Sequence, residues 1–238
     1  MAVASPIARR WTVAALLALT GVTGLIDAVS YLRLGRVFVA NMTGNVVFIG
    51  FSLYPDSGLS ALASAVAIAG FVIGALGGGA VGARFDSRPR RWLAGAFFGQ
   101  ALIVAVTGVL TGVGALSLDP RANLVPICLL AVAMGLQNST VRRLGVPDLT
   151  TTVLTLTLTG LSADSGLVGG PGSKPHRRLG SIAAMLAGAA IGAALLHTSP
   201  SLVIVLAAAV IAAVSITFWL APSEPPRKGE RSGPDEAP

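Results

Sequence analysis

The sequence predicts an all-α polytopic membrane protein in which six transmembrane helices and two short re-entrant or broken segments form two inverted repeats. Three observations predict this fold class. Hydrophobic residues make up 53% of the chain and charged residues only 11%, whereas soluble domains carry about 25% charged residues. Apolar runs of about 20 residues, the length that crosses a bilayer, recur along the chain. The basic residues are concentrated in short loops between these runs, as in the loops of membrane proteins.

Eight apolar segments follow one another, and the whole chain, residues 1–238, is predicted to form a single membrane domain. Two of them are unusual: segment 37–54 is only marginally long enough to cross and contains several polar residues, and segment 149–161 is too short. The tail, residues 222–238, is rich in proline and charge and is predicted to be disordered. The six segments that are long enough are residues 11–32, 60–83, 92–115, 122–141, 179–197 and 201–221.

The loop charges determine how the two short segments are interpreted. If all eight segments crossed, the basic loops 84–91 and 174–178 would lie on opposite sides of the membrane. If both short segments enter and leave on one face, those loops, Arg142, Arg143 and the basic tail share one side. Because basic loops favour the cytoplasm, the second arrangement is preferred. It places both termini in the cytoplasm, and it explains the net charge of +7 without nucleic acid as a partner.

The two halves of the chain, residues 11–115 and 122–221, carry similar motifs. The residues GLID at 24–27 are echoed by GLQN at 135–138. Small residues also recur every four positions in the third and seventh segments, where such stripes let helices pack closely in lipid. Three crossings in each half would leave the second half inverted. The striped residues are Gly70, Gly74, Gly78 and Gly82, and, each 110 positions later, Gly180, Ala184, Gly188 and Gly192.

Three stretches resemble the bacterial YoaK-like family of integral membrane proteins of unknown function. They are GLIDAVSYLRLGRVFVANMTGNVV at 24–47, GLQNSTVRRLG at 135–145 and TTVLTLTLTGL at 151–161. The resemblance extends over residues 11–220 and implies a polytopic protein of the bacterial inner (plasma) membrane, but it supplies no substrate. Family members usually carry Met-Thr-Gly-Thr in the second repeat, where this chain has Leu-Thr-Leu-Thr at 154–157 and thus lacks the glycine.

Asp27 is the first candidate for a functional residue. It lies well within the first apolar segment, and an ionisable residue at such a depth is costly and marks a functional site by default. One interpretation is a proton or cation carrier, and another is a counter-ion for Arg33. The alternative is a structural pair or a polar group near the interface.

Other polar residues of the two unusual segments are candidates for binding a small solute. Amides and hydroxyls at 41–45 can coordinate a solute while Gly44 lets the backbone bend, or they can satisfy the turn internally. In the second half, three threonines lie at i, i+4 and i+8 on one face of a helix, although their alternation also suits a strand and their hydroxyls can bond to helix carbonyls. The complete candidate set is Asp27, Arg33, Asn41, Thr43, Gly44, Asn45, Gln137, Asn138, Thr151, Thr155 and Thr159.

These features favour a secondary transporter or channel-like protein for a small polar solute or ion, because an inverted repeat with a broken segment in each half is typical of secondary transporters. The alternative is a membrane scaffold or assembly protein that does not transport. We expect no enzyme activity and no cofactor, since no Ser-His-Asp, H-E-x-x-H or P-loop pattern occurs. His176 and His197 lack a second ligand at metal spacing, so no metal site is expected. The expected partners are the lipid bilayer, the solute and a further copy of the chain.

Overall fold

The computed structural model describes residues 5–85, 87–119, 124–145, 159, 162–163 and 175–223. Within these ranges the chain forms seven α-helices and no β-strand. The helices are α1 (Arg9–Arg33), α2 (Met42–Phe51), α3 (Ala61–Arg84), α4 (Pro89–Gly112), α5 (Leu124–Leu144), α6 (Pro175–Leu195) and α7 (Pro200–Leu220). The predicted all-α class is therefore confirmed.

Six of these helices, all except α2, are long and apolar enough to cross a membrane. They correspond to the six long segments predicted from the sequence, so the predicted number of spans is confirmed. The ten residues of α2 extend only about 15 Å, half of the hydrocarbon thickness. The second short segment, predicted at 149–161, lies almost entirely outside the described residues, and only Thr159 of it is described.

The helices pack in pairs whose pattern is the same in the two halves of the chain. Helix α1 packs on α6 and α7, α5 packs on α3 and α4, and α4 packs on α7. The set of pairings is unchanged if α1 is exchanged with α5, α3 with α6, and α4 with α7. The α1–α6 pair then becomes α5–α3, the α1–α7 pair becomes α5–α4, and the α4–α7 pair maps onto itself. The most buried span is α1, which packs on α5, α6 and α7, three helices of the second half.

Helices α1 and α6 meet backbone to backbone at two glycines. A Cβ atom built on Gly24 would overlap the carbonyl oxygen of Met185, and one built on Gly188 would overlap the carbonyl oxygen of Gly21. Only glycine permits this approach. Because lipid offers helices no hydrophobic drive to associate, such close contact is a main source of helix packing in membranes.

Helices α3 and α5 meet in the same way. A Cβ atom on Gly74 would overlap the carbonyl oxygen of Val132, and one on Gly135 would overlap that of Phe71. The other striped glycines lie at the same two interfaces and at the end of α3: Gly70 faces Cys128 and Ala131, Gly78 faces Leu136 and Ser139, Gly82 faces Trp92 and Arg143, Gly180 faces Leu17, and Gly192 faces Leu25 and Ala28.

These contacts correct the predicted register between the two stripes. Gly24 and Gly135 occupy equivalent positions 111 residues apart, whereas Gly74 and Gly188 are equivalent at 114 residues rather than 110. Gly74 therefore corresponds to Gly188 and not to Ala184. The physical reason is that small residues recur every four positions in both stripes, so a shift by one helical turn leaves the pattern almost unchanged.

The α4–α7 pair brings the start of α4 to the end of α7. The Arg90 guanidinium donates from Nε to the carbonyl oxygen of Phe218 at 3.0 Å and from Nη2 to that of Ala221. The Phe97 and Phe218 rings stack with centroids 5.5 Å apart. The amide of Ala8 donates to the carbonyl oxygen of Pro222 at 3.0 Å, so the start of α1 lies at this end as well.

Candidate functional site

The chain reverses direction directly after α1 and returns toward the depth of Asp27. Gly35 (φ 94°) and Arg36 (φ 57°) adopt left-handed backbone conformations that turn the chain. The amides of Val39 and Ala40 then donate to Oδ1 of Asp27 at 3.2 and 3.1 Å. Asp27 lies six residues before the end of α1, about 9 Å of helix. The non-helical backbone of Val39 and Ala40 therefore lies beside α1, at the depth of Asp27.

Helix α2 leads the chain back toward the end where it entered. The Phe48 ring lies 6.0 Å from the Tyr31 ring and 5.6 Å from the Phe38 ring, and Tyr31 is a turn closer to the end of α1 than Asp27. Beyond α2, a Cβ atom on Gly58 would lie 3.3 Å from Nη1 of Arg36. Residues 34–51 thus enter and leave at one end of α1, and we call them the re-entrant hairpin.

Asn45 holds the re-entrant hairpin closed. Its side chain is fully buried; Oδ1 accepts from the Phe38 amide at 3.0 Å, and Nδ2 donates to the Phe38 carbonyl at 2.6 Å. Gly44 permits this closure, because a Cβ atom there would lie 2.7 Å from Cδ2 of Phe38. Asn45 was interpreted either as a solute ligand or as a residue that hydrogen-bonds within its own turn. The structure favours hydrogen bonds within the turn.

Asp27 is not paired with Arg33. Its side chain is 6% exposed, and its Oδ1 is held by the two hairpin amides. Arg33 is the last residue of α1 and is exposed, and no ion pair joins it to Asp27 in the part of the chain that the structure describes. The counter-ion interpretation is therefore wrong. A carboxylate buried without a cation is costly, and here backbone N–H groups offset the cost in part.

Three buried side chains from different helices form a second polar feature, which we call the amide cluster. It consists of Thr23 of α1, Gln100 of α4 and Gln137 of α5, each fully buried. Nε2 of Gln100 donates to Oε1 of Gln137 at 2.7 Å, and Nε2 of Gln137 donates to Oγ1 of Thr23 at 3.1 Å. Gln100 is near the middle of α4, so the cluster lies deep within the spans.

Thr23 of the amide cluster and Asp27, which binds the re-entrant hairpin, lie one turn apart on α1. Thr20, Thr23, Asp27 and Ser30 are spaced by three, four and three residues, and all are buried. This spacing places them on one face of the helix. The hydroxyls of Thr20 and Thr23 donate to the carbonyls of Leu16 and Leu19 of their own helix at 2.9 and 3.0 Å. A buried polar stripe therefore connects the two features.

Two buried side-chain oxygens lack a hydrogen-bond partner among the described residues, one in the amide cluster and one three residues beyond Gln137 on α5. Oε1 of Gln100 and Oγ1 of Thr140 are buried, and neither has a hydrogen-bond partner among the described residues. Leaving such an atom unpaired in a protein interior costs about 1–3 kcal/mol. Each of these two oxygens is therefore an acceptor that the described residues leave unpaired.

The structure brings together only part of the predicted set. Asp27 and Gln137 lie on the two connected features. Asn138 is half-buried and donates from Nδ2 to the Met134 carbonyl at 2.9 Å. Gly44 and Asn45 lie in the re-entrant hairpin. Arg33, Asn41, Thr43 and Thr159 are exposed, and Thr151 and Thr155 are outside the described residues.

Sequence reasoning missed Gln100, Thr23 and Thr140. A signal for Gln100 was present, because a glutamine in the middle of a 24-residue apolar span is unusual and marks the bundle interior. The spacing of Thr23 relative to Asp27 was also visible. Nothing in the sequence linked Gln100 and Thr23 to Gln137, since these contacts depend on how α1, α4 and α5 pack.

Six membrane-length helices, with a re-entrant hairpin closed on a buried acid, define a polytopic α-helical membrane protein. The chain belongs to the family described as Protein of unknown function (DUF1275), which matches residues 15–217. The UPF0700 transmembrane protein YoaK of Bacillus subtilis (strain 168) is 32% identical over 160 residues, which are 66% of this chain and 68% of that protein. No solved structure matches significantly. The YoaK-like resemblance is thereby confirmed, and the chain is an integral multi-pass membrane protein.

Proposed function

We propose that the protein is a secondary transporter or channel-like protein for a small polar solute or ion in the bacterial inner membrane. The observation that carries the proposal is the non-helical backbone of Val39 and Ala40, buried and bound to Asp27 within the span. Irregular backbone at membrane depth is tolerated where protein buries it or where it lines a cavity. Broken segments beside a buried polar site are typical of secondary transporters.

The packing of the two halves supports the same proposal. The helix pairings are unchanged when the halves are exchanged, as expected for two inverted repeats around a pseudo-two-fold axis. Rocking of one half against the other would then expose the amide cluster alternately to the two sides. The positive loops 84–91 and 174–178 favour cytoplasmic termini.

The charges of the site favour a neutral or cationic solute over an anion. Asp27 is the acid of the site, and no basic side chain contacts it or the amide cluster among the described residues. The amide cluster offers both donors and acceptors. A solute with hydroxyl, amide or ammonium groups matches this chemistry, because such groups donate to the unpaired oxygens of Gln100 and Thr140.

A membrane scaffold is the second candidate, and one observation favours it. The side chains of the amide cluster bond to one another, and a cavity of about 510 Å³ lies elsewhere, between α4 and α7. A scaffold would use its buried polar groups for helix packing alone. The two candidates therefore differ in whether Asp27 and Gln137 bind a solute.

Solute binding tests the proposal. We would measure the Tm of the purified protein with a panel of neutral and cationic polar solutes, and then uptake of the best one into proteoliposomes. Asp27→Asn and Gln137→Leu should each weaken binding at least about tenfold, the effect of one lost hydrogen bond to a buried group. Thr107→Val is the matched control, because Thr107 is buried in α4 but bonds to the Ile103 carbonyl of its own helix.

Two outcomes would count against transport. If Asp27→Asn and Gln137→Leu bind the solute as the wild type does, the site is misplaced. If no solute stabilises the wild type and the protein instead co-purifies with a defined membrane complex, the scaffold function is favoured.

A further inference from the structure

A groove between α4 and α7 is separate from the amide cluster and the re-entrant hairpin. Its volume is about 510 Å³, and it is lined by Arg91, Gly95, Phe98, Ser215, Trp219 and Leu220. The groove is open at Gly95, since nothing lies within 4 Å of a Cβ atom built there. The Ser215 hydroxyl donates its proton to the Ala94 carbonyl at 2.7 Å. It therefore offers no free donor to a molecule in the groove.

The groove has one charged end and an apolar interior. Arg91 is the third residue of α4 and Trp219 is the last but one of α7, and the Arg90 bond to Phe218 holds these two helix ends together. Arg91 is exposed there. Phe98 lies seven residues further along α4, about 10 Å toward the middle of the span. The shape is that of a site for an amphipathic molecule whose head is negative.

We propose that this groove binds one anionic phospholipid, with its phosphate at Arg91 and an acyl chain along Gly95 and Phe98. Arg91 provides charge complementarity with the phosphate, and guanidinium groups bind phosphate in a bidentate manner. No acidic side chain lines the groove among the described residues. Trp219 is 58% exposed at the helix end, where tryptophan marks the membrane interface.

The basic character of this end of the molecule strengthens the attraction for anionic lipids. Arg84 and Arg88, at the adjacent ends of α3 and α4, are exposed as well. Each basic residue near a membrane surface attracts anionic lipid. Neither of these two residues lines the groove, so both supply general attraction without a specific contact. Arg88 is therefore a matched control for Arg91.

Quenching of Trp219 by brominated lipids tests this site. In a Trp11→Phe background the remaining tryptophans are Trp219 and Trp92, of which Trp92 is 2% exposed. The full-length protein would be titrated in detergent with brominated phosphatidylglycerol or brominated phosphatidylcholine. We expect half-maximal quenching at an about fivefold lower concentration of the anionic lipid, the effect of one basic residue at the membrane surface. Arg91→Gln should remove most of this preference, whereas Arg88→Gln should keep most of it.

Several results would overturn the proposal. Equal quenching of the wild-type protein by the two lipids would show that the groove does not select an anionic headgroup. Equal loss of preference in Arg91→Gln and Arg88→Gln would assign the effect to general surface charge. If a second copy of the chain occupies the groove instead, Gly95→Cys in a Cys128→Ala background should cross-link efficiently between copies. Both lipids should then quench Trp219 only weakly.

Discussion

Gly24 illustrates how single residues set the distance between helices in this protein. A Cβ atom at this position would overlap the Met185 carbonyl and lie 2.7 Å from the Ala189 nitrogen, both of which are backbone atoms of α6. Backbone atoms cannot rotate away as a side chain can. Other glycines have no such role: around Gly77 nothing lies within 4 Å of an added Cβ.

Alanine at these two glycines should therefore have opposite effects. Gly24→Ala should lower the free energy of unfolding by about 1–3 kcal/mol, because α1 and α6 must separate. Gly77→Ala should be neutral or stabilising by up to about 1 kcal/mol, because alanine favours a helix over glycine. Unfolding of the purified protein in detergent measures both. Equal effects would show that α1 and α6 do not meet at Gly24.

Chemical asymmetry between the halves also appears at single residues. With the 111-residue offset between α1 and α5, Asp27 is equivalent to Asn138. Asp27 accepts from the hairpin amides, whereas Asn138 donates to the Met134 carbonyl of its own helix. Only the first half carries an ionisable group at this position, so any coupling to an ion through this pair would run through that half.

The re-entrant hairpin is buried along its non-helical part, at Leu34, Val37, Val39 and Ala40, and largely exposed along α2. One face of α2 packs on α3, while Val46 and Phe51 are 62% and 57% exposed. The polar and aromatic contacts of the hairpin with α1 are two hydrogen bonds to Asp27 and the ring contacts of Tyr31. Exposed segments such as α2 open at lower free energy than the core, and moving elements are drawn from them.

Asn45→Ala should increase opening of the re-entrant hairpin. Two side-chain hydrogen bonds are lost at about 1 kcal/mol each, so the opened fraction should rise by at least about tenfold. A Val39→Cys probe in a Cys128→Ala background reports opening through its rate of reaction with a water-soluble maleimide, since Val39 is fully buried when the hairpin is closed.

Asn41→Ala is the control for the hairpin experiment. Asn41 precedes α2, is exposed, and makes no side-chain capping bond, so its removal should leave the labelling rate unchanged. A faster rate with Asn41→Ala and an unchanged rate with Asn45→Ala would contradict the role given to Asn45.

At the scale of the whole molecule, the packing combines two similar interfaces with a central α4–α7 pair. Helices α1 and α6 repeat the glycine contacts of α5 and α3, and the α4–α7 pair maps onto itself when the halves are exchanged. The hairpin then determines the number of crossings, because it returns the chain to the end of α1 from which it came.

Cysteine labelling from either side of the membrane tests this topology. Arg36→Cys and Asp56→Cys should react from the same side, since Arg36 lies beside Gly58 at the start of α3. Arg88→Cys should react from the other side, because α3 crosses between Asp56 and Arg88. All variants require Cys128→Ala. If the Arg36 and Asp56 probes are labelled from opposite sides, segment 37–54 crosses the membrane completely.

The sequence by itself determined the class of protein, the six spans and the importance of the 24–45 stretch. Span length depends on the cost of placing polar groups in hydrocarbon, which is a local property of about 20 residues. The re-entrant path was predicted from loop charge, which is also local to each loop. Asp27 was predicted as a site residue because one charge in a span is conspicuous.

Only the tertiary structure decided which of these residues meet. It showed that Asn45 closes the hairpin, that Asp27 binds backbone amides rather than Arg33, and that Gln100 bonds to Gln137. It also moved the register of the two glycine stripes by one turn. The physical reason is common to these cases. A helical repeat of small residues or a lone amide is compatible with several neighbours, and the partner is selected by the packing of whole helices distant in the chain.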